Sequence, residues 1–467
     1  MIVFSNISTL KIDAFKNTAN AFVPNSVLVP IRQDCENECE WLVKAGDTVS
    51  EGQIIASSFR GAFKSSVYSP IPGTVMGIEL CVCPDGRTCE AVRINLSGKF
   101  SFLGKKLKEV DATSYSERML LSEIEEKGIV NTFTANEPRL LASDISKAKK
   151  NTGAKLLAVR LFDEDPSRLT DALITKMFKD NVISGAKIVA RALGADGIVF
   201  VSEKGCAIAN AMSSETSTDI SAEHSALHTI PLFSIALNPK KYPSGYKSEI
   251  IRAVKKSLKF SDICKGISKN SLFIDSSTAL ETFRTVSFSM PVIDRYVYLS
   301  GSCIPTTGIL KVAVGTSIKD LAEQCGGFLK RPEAIIINGI VCGVSAGTLD
   351  TPITKYVKSI TFLPQSKTPN QKQCECIRCG NCRRICPLHL SPDIIYSREV
   401  FPYTQDTDDV YIKSSELCNG CGLCNACCPA RLPLSQVIYN IAAKHKTHKT
   451  NAVQDNAAVA EWRGGKL

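Results

Sequence analysis

The sequence predicts a multidomain protein of the α/β plus β class. Its length of 467 residues is enough for three or four domains, each with its own core. Short glycine-rich β segments open the chain, and residues 111–275 alternate predicted strands with predicted helices. Half of the 20 cysteines lie between Cys374 and Cys428, which sets the C-terminal region apart. Each of these regions predicts at least one separate domain.

The first region, residues 27–78, consists of short predicted strands joined by turns. Residues 43–53 read V-x-x-G-D-x-V-x-x-G-Q, and residues 69–75 read S-P-x-x-G-T-V. Both patterns resemble the lipoyl and biotinyl barrel-sandwich family, in which glycines supply turns and alternating valines supply a small barrel. Lys64 lacks the hairpin that a carrier lysine needs, so we expect the barrel to be structural.

The second region predicts an α/β layer with a largely parallel sheet. Strands are predicted over residues 155–160 and 197–201, and helices over residues 171–178 and 185–193. Residues 248–258 place apolar side chains on one face and basic ones on the other, which predicts an amphipathic helix.

The third region, residues 295–364, is predicted to be rich in strands. A strand is expected over residues 295–301, and one helix opens at residues 315–318 and closes at Gly326 and Gly327, which favour a left-handed cap. Residues 366–373 predict a linker. Beyond Pro433 one helix is expected to about residue 446, followed by a loose tail.

Eight of the C-terminal cysteines form two copies of the pattern C-x2-C-x2-C-x3-C-P. The first copy contains Cys376, Cys379, Cys382 and Cys386, and the second contains Cys418, Cys421, Cys424 and Cys428. This is the bacterial ferredoxin run for [4Fe-4S] clusters, in which the fourth cysteine of each run binds the other cluster. Cluster 1 is therefore expected on Cys376, Cys379, Cys382 and Cys428, and cluster 2 on Cys418, Cys421, Cys424 and Cys386.

Zinc is the alternative for so many thiols, but structural zinc sites usually join two distant C-x2-4-C pairs, which this pattern does not. We expect Gly380 and Gly422 to keep backbone N–H groups close to the cluster sulfurs. Cys374 and Cys427 lie off the pattern and are expected to be bystanders.

The formal net charge of +10 is partly concentrated over residues 240–269, where nine lysines and arginines face only Glu249 and Asp262. No motif or groove pattern for nucleic acid accompanies these charges, so no nucleic acid is expected as a partner. A solvated surface is one interpretation of the charges. Docking of an acidic redox protein is the other, since basic patches steer such partners.

The ten remaining cysteines show no framework spacing, which predicts reduced thiols and a cytoplasmic protein. We find no signal-peptide pattern and no run of about 18 apolar residues, so no direct membrane span is expected. His224 and His228 stand four apart on a predicted helix, but nothing in the sequence completes a zinc site there.

Taken in order, these regions resemble the RnfC family, which supplies the C subunit of the Rnf-type ion-translocating electron-transport complex, over residues 27–446. Segments 184–186, 242–245, 295–301, 315–316 and 350–355 also match that family. The resemblance implies a barrel-sandwich hybrid domain over residues 1–100 and a complex-I-like α/β flavoprotein-type domain over residues 110–275. It further implies a soluble-ligand-binding β-grasp module over 285–365, a dicluster ferredoxin domain over 366–446 and a loose tail over 447–467.

The family's flavin and dinucleotide loop, G-x-x-G-x-G-G-A-G-F-P-T, is degenerate in this sequence. Over residues 128–138 only Gly128, Ala135 and Pro138 match it, while four positions expected to be glycine carry side chains, on Asn131, Phe133, Thr134 and Asn136. Phosphate loops need backbone N–H groups that no Cβ atom obstructs. Glu137 also adds negative charge.

Two further segments depart from the family pattern. The family's N-G-A-E-C-E-P loop reads R-L-F-D-E-D-P over residues 160–166, so Arg160 and Leu161 replace Asn and Gly. The glutamate expected after Gly245 is absent, and Tyr246 and Lys247 follow instead. These three departures argue against bound FMN and NADH.

The resemblance implies a peripheral subunit through which electrons enter an Rnf-type complex, on the cytoplasmic side of the inner membrane, beside the membrane subunits. We expect electrons to pass through two [4Fe-4S] clusters from a flavodoxin or ferredoxin. One alternative is an FMN-containing subunit that oxidises or reduces NADH. Another is a structural iron–sulfur subunit.

Overall fold

The computed structural model describes residues 19–34, 38–58, 63–203, 230–238, 242–365, 372–400 and 410–442. The chain forms two compact units, one extending to Thr368 and the other beginning at Pro369. All strands of the described residues lie in the first unit. The five domain ranges expected from the sequence stay predictions.

The first unit opens with a short strand and a small barrel. Its strands are β1 Ala19–Asn20, β2 Ser26–Pro30, β3 Glu40–Trp41, β4 Thr48–Val49, β5 Ile54–Ser57, β6 Ser66–Tyr68, β7 Gly73–Val82 and β8 Thr88–Leu96. Two antiparallel sheets, β2–β8–β7–β4 and β3–β5–β6, make the barrel. Alternate residues point inward, so Val27, Val29, Val92 and Ile94 are buried.

The barrel has the expected short strands and turns, and one strand beyond them. In the segment of residues 43–49 only β4 is a strand, because Gly46 takes a positive φ of 92° and turns the chain there. The additional strand is β8, which lies beyond the predicted strands and pairs along the whole of β7.

An α/β layer follows the barrel. Its elements are α1 Glu117–Glu126, β9 Val130–Asn131, β10 Arg139–Leu140, α2 Leu141–Lys149, β11 Leu156–Arg160, α3 Thr170–Met177, α4 Lys179–Leu193, β12 Gly197–Glu203, β13 Leu232–Leu237, α5 Lys247–Ser257, α6 Asp262–Lys265, β14 Leu272–Asp275 and α7 Ser276–Phe288. Four strands form a parallel sheet with the order β13–β12–β11–β14. The predicted parallel α/β layer is confirmed, and the predicted amphipathic helix is α5.

The strand order reverses at β11, since β12 lies on one side of it and β14 on the other. In open α/β sheets such a switch point creates a crevice at the carboxyl ends of the strands, where ligands usually bind. Arg160 is the last residue of β11 and Asp275 the last residue of β14, and the two residues pair in register. The residues around them therefore decide what this crevice can hold.

A six-stranded sheet completes the first unit. Its further elements are β15 Asp294–Gly301, β16 Gly308–Ala313, α8 Ile318–Gln324, β17 Ala334–Ile337, β18 Val344–Ser345 and β19 Ser359–Leu363. The order is β1–β16–β15–β19–β17–β18, so the N-terminal strand joins this sheet and not the barrel. Ser317 caps α8, and Gly326 and Gly327 end it with positive φ values, as predicted.

The second unit is helical in its described residues. Its helices are α9 Asn381–Ile385, α10 Pro392–Val400, α11 Val410–Ser414, α12 Leu423–Ala426 and α13 over residues 434–442. The helix expected to run to residue 446 is described only to residue 442, and the predicted tail lies outside the described residues.

Candidate functional site

The two cysteine runs fold into the same backbone shape. Each run takes a positive φ directly before its second cysteine, directly after it, and three residues past its fourth cysteine. These positions are Arg378, Gly380 and His389 in the first run, and Gly420, Gly422 and Arg431 in the second. A non-glycine residue in this region is uncommon. Its recurrence at matched positions shows that the two halves of this unit are a structural repeat.

The hydrogen bonds of the two runs also match. Each run continues into a short helix, α9 or α12, whose first turn bonds back to the left-handed glycine: Arg384 N–H donates to the Gly380 carbonyl at 3.2 Å, and Ala426 N–H to that of Gly422 at 3.1 Å. This turn places the third cysteine of each run, Cys382 or Cys424, near a helix start. The same spacing of cysteines is therefore accompanied by the same backbone geometry in both runs.

The fourth cysteine of the first run lies with the second run. Burial, followed by the charge of Cys418 and then that of Cys386, raises the pKa of Cys421 to about 12. Burial and the charges of Cys421 and Cys418 raise the pKa of Cys424, and Cys386 adds to this shift. Cys386 therefore lies close enough to Cys421 and Cys424, two of the cysteines with which it was expected to share a cluster, to act on both thiols.

Cysteines of the other expected set also lie close to the second run. Cys376 and Cys428 pack against an apolar cluster that contains Cys382 and also Cys424 of the second run. The fourth member, Cys379, acts with Cys428 on the thiol of Cys427. These contacts bring cysteines of both runs together, and the assignment of the ligands to two clusters stays a prediction.

The donor chemistry of these thiols fits iron–sulfur clusters. All eight are free cysteines, and the N–H of Gly420 points at the sulfur of Cys418 from 3.5 Å. Backbone N–H groups of Asp393 and Arg383 likewise face the sulfur of Cys382. Hydrogen bonds of this kind stabilise thiolate ligands and tune a cluster's reduction potential.

The two halves differ in the side chains beside the third cysteine. In the first half Arg383 binds Asp393 through two contacts of 2.7 and 2.6 Å. At the matched positions of the second half the Asn425 side chain accepts the backbone N–H of Ser435 at 2.8 Å. The same tie between two helices is therefore ionic in one half and neutral in the other.

The first half is also the more open one. Cys379 is exposed, whereas Cys421 and Cys424 of the second half are buried. An open groove of about 1030 Å³ runs past Cys376, Arg378 and Arg383. Of the two expected bystanders, Cys374 is exposed and lines this groove, and the Cys427 thiol donates to the Cys424 carbonyl at 3.4 Å.

In the first unit, the three segments that depart from the family pattern meet at one side chain, Arg160. Its fully buried guanidinium donates to the carbonyls of Gly245 at 2.9 Å and Phe133 at 2.8 Å. The same group lies 4.2 Å from the centre of the Phe133 ring and bonds Glu164 at 3.3 Å. The sequence shows that each segment departs from the family pattern. It does not show that the three segments touch, because they are far apart in the chain.

The three loop positions that match the family pattern, Gly128, Ala135 and Pro138, are in contact with other parts of the protein or buried. Ala135 is buried and its N–H faces Glu164 at 3.4 Å. Pro138 is buried, and Gly128 takes a φ of 64° against the amine of Lys355, which binds its carbonyl at 3.0 Å. The loop is thus held by protein groups.

The crevice at the switch point contains a buried ionic cluster. Lys358 binds Asp171 at 2.7 Å and also contacts Asp275, and all three side chains are fully buried. Burial alone would raise the pKa of Asp275, but the charges of Lys358 and Arg160 hold it well below its usual value. Thr132 donates to the same carboxylate.

Three cysteines that the sequence analysis left as scattered thiols lie together on the β7–β8 hairpin. The sulfurs of Cys81, Cys83 and Cys89 are all within 4.8 Å of one another. Their spacing, C-x-C-x5-C across a Pro-Asp-Gly turn, was the signal that could have found them.

The remaining residues that the sequence analysis considered lie in none of these sites. Lys64 is exposed, and its backbone N–H binds Glu125 at 2.8 Å. His224 and His228 lie outside the described residues. Of the basic segment, Lys255, Lys256 and Lys259 are exposed on α5 and just beyond it.

Comparison with known proteins gives the same family as the sequence. Residues 11–99 match the RnfC barrel sandwich hybrid domain. The chain is 28% identical over 394 residues to the C subunit of the proton-translocating ferredoxin:NAD(+) oxidoreductase complex of Clostridium ljungdahlii, covering 82% of this chain and 81% of that protein. It is 25% identical to the C subunit of the ion-translocating oxidoreductase complex of Rhodobacter capsulatus, over 79% of this chain and 69% of that protein.

A third relative is the C subunit of the Na(+)-translocating ferredoxin:NAD(+) oxidoreductase complex of Acetobacterium woodii, with 23% identity over 79% of this chain and 80% of that protein. Among the described residues, none of the helices has the length and apolar character that a bilayer crossing requires. The resemblance found in the sequence is confirmed: in its barrel domain and along about four fifths of its length, the chain is similar to the C subunits of Rnf-type complexes.

Proposed function

We propose that this protein is a peripheral subunit through which electrons enter an Rnf-type ion-translocating oxidoreductase, by way of two [4Fe-4S] clusters. The observation that carries the proposal is the structural repeat of the two cysteine runs. The effect of Cys386 on the thiols of Cys421 and Cys424 supports it. When bound, such clusters exchange single electrons with neighbouring redox centres. This exchange needs no residue that makes or breaks bonds.

In this proposal Cys376, Cys379, Cys382 and Cys428 hold cluster 1, and Cys418, Cys421, Cys424 and Cys386 hold cluster 2. The remaining groups of the unit tune and shield these sites. Backbone N–H groups such as that of Gly420 reach the sulfurs, and the exposure of Cys379 leaves one site open to a partner. The buried Cys421 and Cys424 keep the other away from solvent.

We assign the electron donor to a small acidic protein, a flavodoxin or ferredoxin, and not to NADH. The Arg160 cluster supports this choice, since its guanidinium binds the carbonyls of Phe133 and Gly245 in the segments where the family pattern is lost. A flavin or dinucleotide phosphate there would need the backbone N–H groups of a glycine-rich loop.

The open half of the second unit suits an acidic donor. Arg378, Arg383 and Arg384 are exposed around Cys379, and the exposed Ile377 adds an apolar contact. Basic groups around an accessible cluster steer an acidic protein and raise its rate of association.

The names of the relatives support a position at a membrane complex. They are named as subunits of ion-translocating complexes. We place this chain on the cytoplasmic side of the inner membrane, bound to the membrane subunits of such a complex.

The first test is anaerobic purification of the full chain, followed by separate addition of NADH and of reduced flavodoxin. We expect about eight iron atoms per chain and no flavin. The visible spectrum should bleach with reduced flavodoxin and stay unchanged with NADH. Bound FMN with bleaching by NADH would refute the donor assignment, and a chain without iron would refute the cluster proposal.

A matched pair of charge reversals locates the docking surface. Arg378→Glu with Arg384→Glu should slow electron transfer from flavodoxin and remove most of its salt dependence. Lys255→Glu with Lys256→Glu makes the same change of charge on α5 and should leave the rate close to that of the unaltered protein. The reverse pattern would move the docking surface to α5.

A further inference from the structure

The β7–β8 hairpin of the barrel brings three thiols to one point by strand geometry. Cys81 and Cys83 are two residues apart and so face the same side of the hairpin. Cys89 pairs directly with Cys81 across the two strands. The turn between the strands closes with Cys83 N–H donating to the Arg87 carbonyl at 2.7 Å, so the three thiols are held by backbone pairing.

The surroundings of these thiols favour a bound cation over three independent cysteines. Cys81 and Cys83 are 7% and 1% exposed and pack with the buried Ala91, so the site is sheltered on its inner side. Arg32 places its backbone N–H and its positive charge beside Cys89. A cationic side chain there balances the excess negative charge of three thiolates around a divalent ion.

A disulfide is the competing explanation, but it uses only two of the three sulfurs. The separation of 2.9 Å between the sulfurs of Cys83 and Cys89 is well beyond an S–S bond of about 2.0 Å. Sulfurs that all lie within 4.8 Å of one another can share a central zinc ion at about 2.3 Å each after small shifts. The third thiol therefore has a role in a metal site and none in a disulfide.

We propose that Cys81, Cys83 and Cys89 bind one thiophilic divalent cation, Zn²⁺, as three thiolates, with a water molecule as fourth ligand. The site lies in the barrel and uses none of the cysteines of the C-terminal unit. Its role is to brace the tip of the hairpin, whose turn residue Gly86 lies next to Val344 of β18. It is independent of electron transfer, so its test does not depend on the proposed function.

The test uses the full chain with its iron bound, purified anaerobically and analysed for metals. We expect one zinc ion per chain in addition to iron. X-ray absorption at the zinc edge should show three sulfur neighbours at about 2.3 Å and one oxygen. Four sulfur neighbours would mean zinc bound in the C-terminal cysteine runs, which would overturn the proposal.

Variants separate a bound ion from a structural loss. Cys83→Ser should abolish zinc binding while the iron content and the visible spectrum stay as in the unaltered chain. Cys39→Ser, a cysteine of the same barrel outside the triad, should keep the zinc. The proposal fails if the iron-loaded chain takes up no zinc when titrated with it, or if mass spectrometry of the anaerobic protein finds a disulfide within the triad.

Discussion

Lys355 is a fully buried amine that binds two backbone carbonyls, those of Ser66 and Gly128, each at 3.0 Å. Burial lowers its pKa to about 8, although Asp34 and Cys39 act in the opposite direction. Between pH 8 and about 10 the native protein has lost this proton, whereas the unfolded chain, with a lysine pKa of about 10.4, still holds it. The free energy of unfolding should therefore rise with pH in this window, by up to about 1.4 kcal/mol per pH unit.

Denaturant unfolding at a series of pH values checks this expectation, with Lys355→Met as the comparison. The variant lacks the titrating amine, so its stability should be flatter between pH 8 and about 9.5. Burial raises the pKa of Tyr68 to about 12, so its ionisation lowers the free energy of unfolding as pH rises, and only at pH values above this window. Parallel curves for the two proteins would show that Lys355 does not carry the effect.

Single residues differ in how far the sequence could predict their roles. The matching backbone shape of the two cysteine runs could be expected from the sequence because three cysteines of each run lie within seven residues of chain, and their role as cluster ligands stays a prediction. The contact of Arg160 with Phe133 and Gly245 could not, since it exists only once β11 lies in the sheet. Cys81 and Cys89 meet through strand register, so the C-x-C-x5-C spacing indicates their contact only when the Pro-Asp-Gly turn between them is recognised as that of a hairpin.

At the scale of helices, the crossing of α4 and α7 depends on one glycine. A Cβ atom on Gly185 would lie 1.8 Å from the Ala279 carbonyl oxygen, and that backbone cannot move away without shifting α7. We expect Gly185→Ala to destabilise the first unit by about 1–3 kcal/mol or more. Thermal unfolding measures this, with Gly153→Ala as the control, because a Cβ atom there meets nothing within 4 Å. Equal melting temperatures for the two variants would contradict the close crossing.

The ionic tie between α9 and α10 predicts a difference between the two proposed clusters. Replacing Arg383 by Gln leaves the Asp393 carboxylate, 11% exposed, uncompensated beside Cys382. A negative charge near a cluster opposes its reduction, so the potential of cluster 1 should become more negative while that of cluster 2 stays. A redox titration followed by electron paramagnetic resonance resolves the two. Arg384→Gln is the matched control, since that arginine contacts Asn381 and not Asp393; equal shifts in both variants would refute the specific role of the tie.

Elements with strong periodicity could be predicted closely. The amphipathic helix expected over residues 248–258 is α5, Lys247–Ser257, and the strand expected over 295–301 is β15, Asp294–Gly301. The barrel strand β8 was not predicted, because the polar residues Glu90, Arg93 and Asn95 interrupt its apolar ones. Such a strand is defined by its pairing with β7 more than by its own composition.

At the scale of the whole molecule, buried lysines join regions that the sequence separates into domains. Lys358 precedes β19 of the six-stranded sheet, but its amine lies in the α/β layer between Asp171 of α3 and Asp275 of β14. In the same unit Lys355 ties the third region to the barrel through the Ser66 carbonyl. The sequence could not predict these ties, since a lysine in a β-rich stretch is most often exposed.

Lys358→Met tests whether these ties make the first unit cooperative. The change leaves two carboxylates buried without their cation, which should cost about 3–5 kcal/mol of unfolding free energy. Because the lysine belongs to one region and its partners to another, hydrogen exchange should accelerate in β11 and β19 together. Lys265→Met removes an exposed ion pair with Asp262 and should leave the stability close to that of the unaltered protein. Faster exchange confined to one of the two sheets would show that the regions unfold independently. The buried lysine would then stabilise one region and would not join the two.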